Sequence, residues 1–426
     1  VNKKLIGIAL CLFCIGAGGV RANEAPITDE AQKLYQKHKK SVYQVRTVSK
    51  TSGKKSAIGS GFQFTPDGHI ATNYHVIADA IQRPRQFYIE CIRFDNTVHR
   101  VEVVDIDTIH DLAIVKMDVS YETFFQWDTQ PLQKGTKIFA MGNPYDLSMS
   151  IVEGIYNGLM KKSLYRKILF SGALNSGMSG GPAFNRDGEV IGINVSTKGN
   201  DVSFLVPVSY LETLFTQTQS LKQLPVRHWD TRIENQLVAN QESYVNDLMN
   251  RSWDSLPIGD AKVPGEISSS FRCWSDSEPD KTNLYDISYI SCFTDDVIFI
   301  DSDFYTGKIS YQYNWVTSQG LNPVRFYNLY ERIYSYLDSY ENARKKDVGN
   351  FTCNTDFVKI DQVDSKVAFC ARPYKKYPRL FDINVSVASV HENDRGLIVV
   401  LKALGLSQKS ALRVTRKFLN KIQWKK

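Results

Sequence analysis

Long hydrophobic runs are nearly absent from this 426-residue chain: one lies at the start, Leu5 to Val20, and no later segment has the ~20 apolar residues a membrane span needs. No further membrane-spanning helix is expected. A strong charge of one sign is lacking too, because 52 Lys and Arg against 45 Asp and Glu leave only +7 over the whole length. Such a weak excess gives no electrostatic footprint for nucleic acid. Cysteine is sparse, at seven, and the C-terminal cysteines form no C-x2-C and have no histidine pair near them, so a structural zinc site is not expected. Neither a metal nor another cofactor is called for.

What the chain does have begins with a leader. Lys3 and Lys4, the apolar run and Val20-Arg21-Ala22 have the charged, apolar and small-residue regions of a secretory signal peptide over residues 1–22, with cleavage expected after Ala22. Gly16, Gly18 and Gly19 interrupt the run and argue against a retained anchor. Removal of Lys3, Lys4 and Arg21 lowers the charge from +7 to +4 and leaves Cys91, Cys273, Cys292, Cys353 and Cys370. Export to an oxidising compartment, the bacterial periplasm or the exterior, is the expectation, with two disulfides and one spare thiol. Cys91 sits in a strand run and reads as a small buried hydrophobe.

A helical lead occupies residues 23–40, with Thr28 as N-cap and Ala31, Leu34, Tyr35 and His38 at helical spacing. From 41 to 215 short β-rich runs recur with turn signals between them: Gly61 to Phe64, Phe87 to Phe94, Val98 to Val104, Leu112 to Met117, Lys137 to Met141, Ile168 to Phe170, Val190 to Val195 and Ser203 to Val206. This is the pattern of an all-β barrel domain. Residues 216–264 form a linker with a helix whose apolar stripe includes Ile233, Leu237, Val238, Tyr244, Val245, Leu248 and Met249, suited to packing on the barrel or on the next domain.

An α+β region with disulfides follows over 265–426, with a faint duplication into 265–345 and 346–426. Each half has a Phe-x-Cys, a second cysteine, strands and a helix, the helices being Pro323 to Tyr340 and Ser407 to Ile422. Pairing Cys273 with Cys292 and Cys353 with Cys370 gives one stapled hairpin per half, although four cysteines allow three connectivities. The aromatic run Phe326, Tyr327, Tyr330, Tyr334, Tyr336 and Tyr340 has the spacing of a packed helix face. The last helix sets Lys409, Arg413, Arg416, Lys417 and Lys421 against Leu412, Phe418, Leu419 and Ile422, a solvated face that also suits contact with an anionic membrane surface.

Chemistry concentrates in Gly177-Met178-Ser179-Gly180-Gly181-Pro182, a serine between glycines that give way to a carbonyl under attack. A serine hydroxyl is inert at its free pKa and needs a base, an orienting carboxylate and donors for the oxyanion. His75, in Thr72-Asn73-Tyr74-His75-Val76, is read as an imidazole delivered by a small turn at the end of an apolar strand. The other histidines fit solvated or packed roles; His38, His99, His228 and His391 lie in polar sequence and His69 in a turn. Asp111 opens the apolar run Leu112-Ala113-Ile114-Val115 and is the carboxylate of choice, while Asp105 and Asp107 are placed on the preceding turn as solvated alternatives.

These blocks, with Gly59-Ser60-Gly61-Phe62, Met141-Gly142-Asn143-Pro144-Tyr145, Gly192-Ile193-Asn194 and Phe204-Leu205-Val206-Pro207, resemble the protease domain of the trypsin-like HtrA/Deg serine proteases over residues 40 to 215. The resemblance implies a two-barrel fold with a cleft between the barrels. It also implies an endopeptidase acting on proteins or peptides, with Ser179 as nucleophile, His75 as acid and base, Asp111 as orienter and the N–H groups of Gly177 and Ser179 as oxyanion hole. Met178 stands where digestive trypsins have an aspartate that pairs with a new N-terminus, so that activation route is missing. Ala173, six residues before Ser179, is no acid, and the resemblance then implies an apolar P1 residue in a pocket walled by Ala173, Leu174, Asn175, Ser176, Ile193, Asn194 and Val195. The PDZ domains usual in HtrA relatives are not expected, because no Gly-Leu-Gly-Phe-type loop is found and Gly396-Leu397-Ile398-Val399 reads as a strand. The competing reading is a catalytically silent envelope-binding protein that works through its C-terminal domain.

Overall fold

The computed structural model describes residues 27–197, 202–220, 228–277, 284–336 and 342–425; the expected leader, residues 1–22, and Tyr340 lie outside them. Two closed six-stranded antiparallel barrels come first. The first joins, in spatial order, Val42–Ser49, Lys55–Gln63, His69–Thr72, Leu112–Lys116, Val98–Asp107 and Phe87–Ile92. In the second the order is Pro182–Phe184, Val190–Thr197, Ser203–Pro207, Ile168–Phe170, Ser150–Leu159 and Lys137–Gly142. Closure removes the free edges such short strands would otherwise leave unpaired. Three of these strands are not among the runs expected from sequence: Val42–Ser49 is almost continuously buried, Pro182–Phe184 is very short, and Ser150–Leu159 is largely half-exposed and lacks a clean alternation.

Several local expectations need correction. The opening helix spans Ile27–His38, so Thr28 lies inside it rather than capping it. His75 follows a turn only in part: it sits in the first turn of a helix, Tyr74–Gln82, whose Val76, Ile77 and Ile81 are buried. Asp105 is no loop residue but a member of the Val98–Asp107 strand, buried and bound by Arg232 at 3.0 Å. Of the two roles open to His38, solvated or packed, it takes the second: it is only 6 % exposed and stacks on Phe125 at 4.5 Å between ring centroids. Cys91 is buried in the first barrel, as a small hydrophobe would be.

The helix Trp229–Asn250 is the hinge pin of the architecture, because its two ends enter different cores. Ile233 and Leu237 pack with Tyr74, Ile77, Ile81 and, from the C-terminal region, Tyr374, Tyr377 and Leu380. Val245 and Leu248 pack under the C-terminal sheet with Tyr311, Val399, Val414 and Phe418. Fully burying one such aliphatic side chain stabilises by about 1.5–3 kcal/mol. This one helix therefore ties both parts together.

The C-terminal region holds a seven-stranded antiparallel sheet in the order Phe271–Ser277, Tyr285–Thr294, Ile309–Ser318, Arg395–Leu406, Phe381–Ser389, Val363–Pro373 and Thr352–Ile360. Helices Pro323–Tyr336 and Gln408–Leu419 cover opposite faces, since Phe326 and Tyr330 meet Val316 and Ile398 while Val414 and Phe418 meet Val399 and Leu401. The disulfides Cys273–Cys292 and Cys353–Cys370 join directly paired residues in the two edge hairpins. On the last helix Ser407 is the N-cap, Leu412 is exposed rather than apposed to the core, and Lys417 donates to the carbonyls of Leu248, Met249 and Arg251. That lysine thus satisfies the open end of the Trp229–Asn250 helix instead of facing a membrane.

Burial, with some help from Lys37, lowers the His38 pKa to about 4. The native imidazole stays neutral while the unfolded chain takes up a proton below ~6.5, so this stabilisation is present above that pH and lost as pH falls toward 4. At most about 3 kcal/mol is at stake. His38→Gln is expected to lose less unfolding free energy than the parent between pH 7 and pH 4.5 in urea titrations; equal losses would contradict this origin.

Candidate active site

The site forms where the two barrels meet, and its first element is a pair held by two hydrogen bonds. Asp111 Oδ2 accepts from His75 Nδ1 at 2.6 Å, and Oδ1 accepts from the His75 backbone N–H at 2.8 Å. To present both oxygens Asp111 adopts φ +57°, a left-handed conformation that aspartate tolerates better than most residues. Its own carbonyl accepts from Asn73 Nδ2 at 2.7 Å, which ties it to the residue before the His75 helix. With Nδ1 committed to the carboxylate, Nε2 is left as the basic lone pair.

Burial works against a charged His75, but the Asp111 carboxylate and its hydrogen bond outweigh it, and the imidazole pKa is raised above its ordinary value. A second His–Asp pair exists nearby, His110 Nδ1 to Asp107 at 2.6 Å. His110 stacks on Tyr210 at 3.7 Å, and Asp107 also accepts from the N–H groups of Ile109 and His110, so this pair serves to close a turn.

Ser179 reaches the same place from the second barrel. Its carbonyl accepts from Ser60 N at 2.7 Å, and a side chain on Gly180 would collide with the Ser60 carbonyl, Thr72 and Asn73, so the nucleophile turn lies against the entry to the His75 helix. Only glycine fits there, at φ +86°. Met178 is fully buried among Ile138, Ala140 and Leu174, which anchors the turn in the second barrel without any ion pair. The Ser179 hydroxyl donates to the Val195 carbonyl at 2.8 Å.

Gly177 has φ +95°, and its carbonyl accepts from Ser60 Oγ at 2.8 Å. Among the described residues the N–H groups of Gly177 and Ser179 have no hydrogen-bond partner. Ser60 Oγ also accepts from Asn143 N at 2.9 Å. Sequence reading placed Ser60 in a motif without giving it a task; its small hydroxyl between two glycines was the available signal.

The expected pocket residues separate into two groups. Ala173, Asn175 and Ser176 are exposed on the loop ahead of the nucleophile, and Val195 lies beside Ser179. Leu174 and Ile193 have their side chains in the barrel cores, and Asn194 is fully buried with its amide donated to the carbonyls of Met141 and Met178. The last three support the loop rather than wall a pocket.

A cavity of about 840 Å³ opens beside the pair, lined by Thr108 to Asp111, Leu169, Val195 and Phe204 from the barrels and by Val297 and Phe299 from the C-terminal region. Phe299 was absent from the sequence reading; its ring meets the His75 ring edge-on at 6.1 Å.

In Asp111→Asn the burial of His75 persists while the charge is lost, so the His75 pKa is expected to fall below ~6.5 in an imidazole NMR titration, against a parent value above it. A variant whose His75 still titrates above 6.5 would show that Asp111 is not the source of the shift.

The trypsin-like peptidase domain family matches residues 59–193. The chain is 34 % identical over 167 residues to a protein of Halomonas elongata named "Probable periplasmic serine endoprotease DegP-like", covering 37 % of this chain and 34 % of that one. It is 31 % identical over 212 residues to Protease Do-like 5, chloroplastic, of Arabidopsis thaliana, covering 41 % and 65 %. The chain thus spans between about a third and just under two thirds of these relatives' lengths. Among solved structures it is similar to the crystal structure of Deg5, with 27 % identity, a TM-score of 0.38 and coverage of 44 % of this chain and 92 % of that one. The two-barrel part of the chain is a trypsin-like peptidase domain that resembles the HtrA/Deg serine proteases.

Proposed function

We propose that the chain is an exported serine endopeptidase that hydrolyses peptide bonds in proteins through Ser179, His75 and Asp111. The observation that carries this reading is the doubly hydrogen-bonded His75–Asp111 pair beside a serine in a glycine-bounded turn. A pair of this kind fixes the tautomer a general base needs.

The chemistry follows in steps. The Ser179 hydroxyl turns from the Val195 carbonyl toward His75 Nε2, attacks the substrate carbonyl carbon and gives its proton to that nitrogen. The carbonyl electron pair moves onto oxygen, which the N–H groups of Gly177 and Ser179 receive. Collapse of the tetrahedral intermediate breaks the C–N bond, and the His75 proton leaves with the amine. Water, deprotonated by His75, then attacks the acyl-enzyme and restores Ser179. Throughout, Asp111 holds the ring and compensates its positive charge.

We assign the protease unit to residues 41–215, the connection to 216–264 and a second unit to 265–426, the latter built of two related halves, 265–345 and 346–426. Two disulfides and the periplasmic name of the Halomonas relative support action outside the cytoplasm. Ala173, uncharged at the loop before the nucleophile, supports an apolar P1 residue rather than Lys or Arg.

Three outcomes test this reading. Ser179→Ala should abolish cleavage of an unfolded protein substrate, with a loss of at least about 10⁴-fold in kcat; undiminished cleavage would refute the assignment. Because His75 must be unprotonated to act and its pKa is raised, activity should climb with pH through a midpoint above ~6.5. A profile flat from pH 5 to 9 would exclude His75 as the base. In a peptide library the preferred P1 residues should be apolar, and dominance of Lys or Arg would overturn the pocket assignment.

A further inference from the structure

The segment between two neighbouring strands of the C-terminal sheet takes a longer path than its connection requires. Phe293 pairs with Ser310, so a tight turn would join Tyr285–Thr294 to Ile309–Ser318. Instead residues 295–308 leave the sheet and form the hairpin Ile298–Asp301 with Phe304–Thr306 against the barrels.

This segment is fastened at both ends to different barrels. At one end Asp296, only 4 % exposed, receives Leu164 N at 2.6 Å, Lys167 Nζ at 2.7 Å and Ser163 Oγ at 2.8 Å, all from the connection between two strands of the second barrel. Such a buried carboxylate is tolerable only because each of these donors compensates it. At the other end the Ile300 carbonyl accepts from Tyr74 Oη at 3.0 Å, and Asp301 lies 3.7 Å from Arg83, both on or beside the His75 helix of the first barrel. Residues 297–299 therefore cross the junction of the barrels as a strap.

Period-two alternation decides what the strap presents. Ile298 and Ile300 are 2 % and 1 % exposed and enter the core with Tyr74, Val76, Ile77 and Ile81. Val297, 46 % exposed, and Phe299, partly exposed, alternate with them and line the cavity that also contains Asp111 and Val195. Core packing accounts for the isoleucines and for one side of Phe299, whose ring also meets Tyr74 at 6.5 Å, while Val297 and the accessible part of Phe299 border the open cleft.

We propose that Val297 and Phe299 are the C-terminal region's contribution to the substrate groove, forming the wall of a subsite for an apolar side chain of an extended polypeptide. The proposal rests on the protease reading above and goes beyond it, because it makes selectivity depend on a segment outside the barrels. Phe299 lies 6.1 Å from the His75 ring, and an extended chain advances ~3.3 Å per residue, so the residue it reads stands about two positions from the scissile bond. Phe299 is a specificity-determining residue, and it takes no part in the bond-breaking steps.

The test uses the full chain and its Phe299→Ala, Phe299→Leu and Val297→Ala variants with quenched fluorescent peptides varied over three positions on each side of the scissile bond. A fluorophosphonate probe, which reports the triad without a peptide, should label all four proteins at similar rates. Phe299→Ala should lose about tenfold in kcat/KM, mainly through KM, for peptides with a large apolar residue at one position, while other positions keep their profile. Phe299→Leu should recover most of the loss, and Val297→Ala should shift the same position by less. Profiles that coincide at every position, with labelling retained, would overturn the proposal and leave the protease reading standing. Failure of the parent itself to label would sink the protease reading and the proposal with it.

Discussion

Everything else in this molecule is arranged around one strained contact, the carboxylate of Asp111 against His75. Aspartate at φ +57° is held in place because its two oxygens and its carbonyl are all engaged by the first turn of the His75 helix and the residue ahead of it. Strain of this kind costs of order 1–3 kcal/mol and persists only where the surroundings over-determine it. Here they do: Asp111 stands between the strand Val98–Asp107 and the buried strand Leu112–Lys116, while the helix is fixed through Tyr74, Val76 and Ile77.

The second constraint is that the nucleophile belongs to the other barrel and must arrive at the same spot. Ser60 makes the junction, its N–H on the Ser179 carbonyl and its hydroxyl on the Gly177 carbonyl, so a first-barrel residue sets the orientation of the loop that would bind the oxyanion. Met178, buried in the second barrel, anchors the loop from beneath. The pair of anchors offers a physical substitute for the ion pair that digestive trypsins create on activation. The C-terminal region joins this framework through a shared core, where Ile298, Ile300, Tyr374 and Leu380 pack directly on the His75 helix. The helix that carries the proposed base is therefore as much a part of the second unit's packing as of the barrel's.

Much of this was legible in the sequence where local chemistry is distinctive. Ser179 lies among glycines that backbone geometry demands and Asp111 opens an apolar strand, so candidate site residues could be proposed, and the four C-terminal cysteines could be assigned to two disulfides with the connectivity left open among three. Where the signal was ambiguous the reading slipped. The helix Tyr74–Gln82 reads in the sequence as a small turn after the strand of Ile70 and Ala71, because it carries no side-chain N-cap hydrogen bond and is only nine residues long. Asp105 reads as solvated because its polar neighbours in sequence are not its neighbour in space, which is Arg232. Ile193, Asn194 and Leu174 were assigned to a pocket by position along the chain, whereas side-chain direction sends them into the cores. The strap at 295–301 had no local signal at all, since its partners lie more than a hundred residues away.

The central claim is that Ser179, served by His75 and Asp111, is a competent nucleophile in the folded chain. Incubation with a fluorophosphonate followed by intact-mass and peptide mapping tests it most directly. The account predicts one equivalent of adduct per chain, located on Ser179 and absent from His75→Ala; no adduct, or an adduct at another residue with Ser179 unmodified, would contradict it.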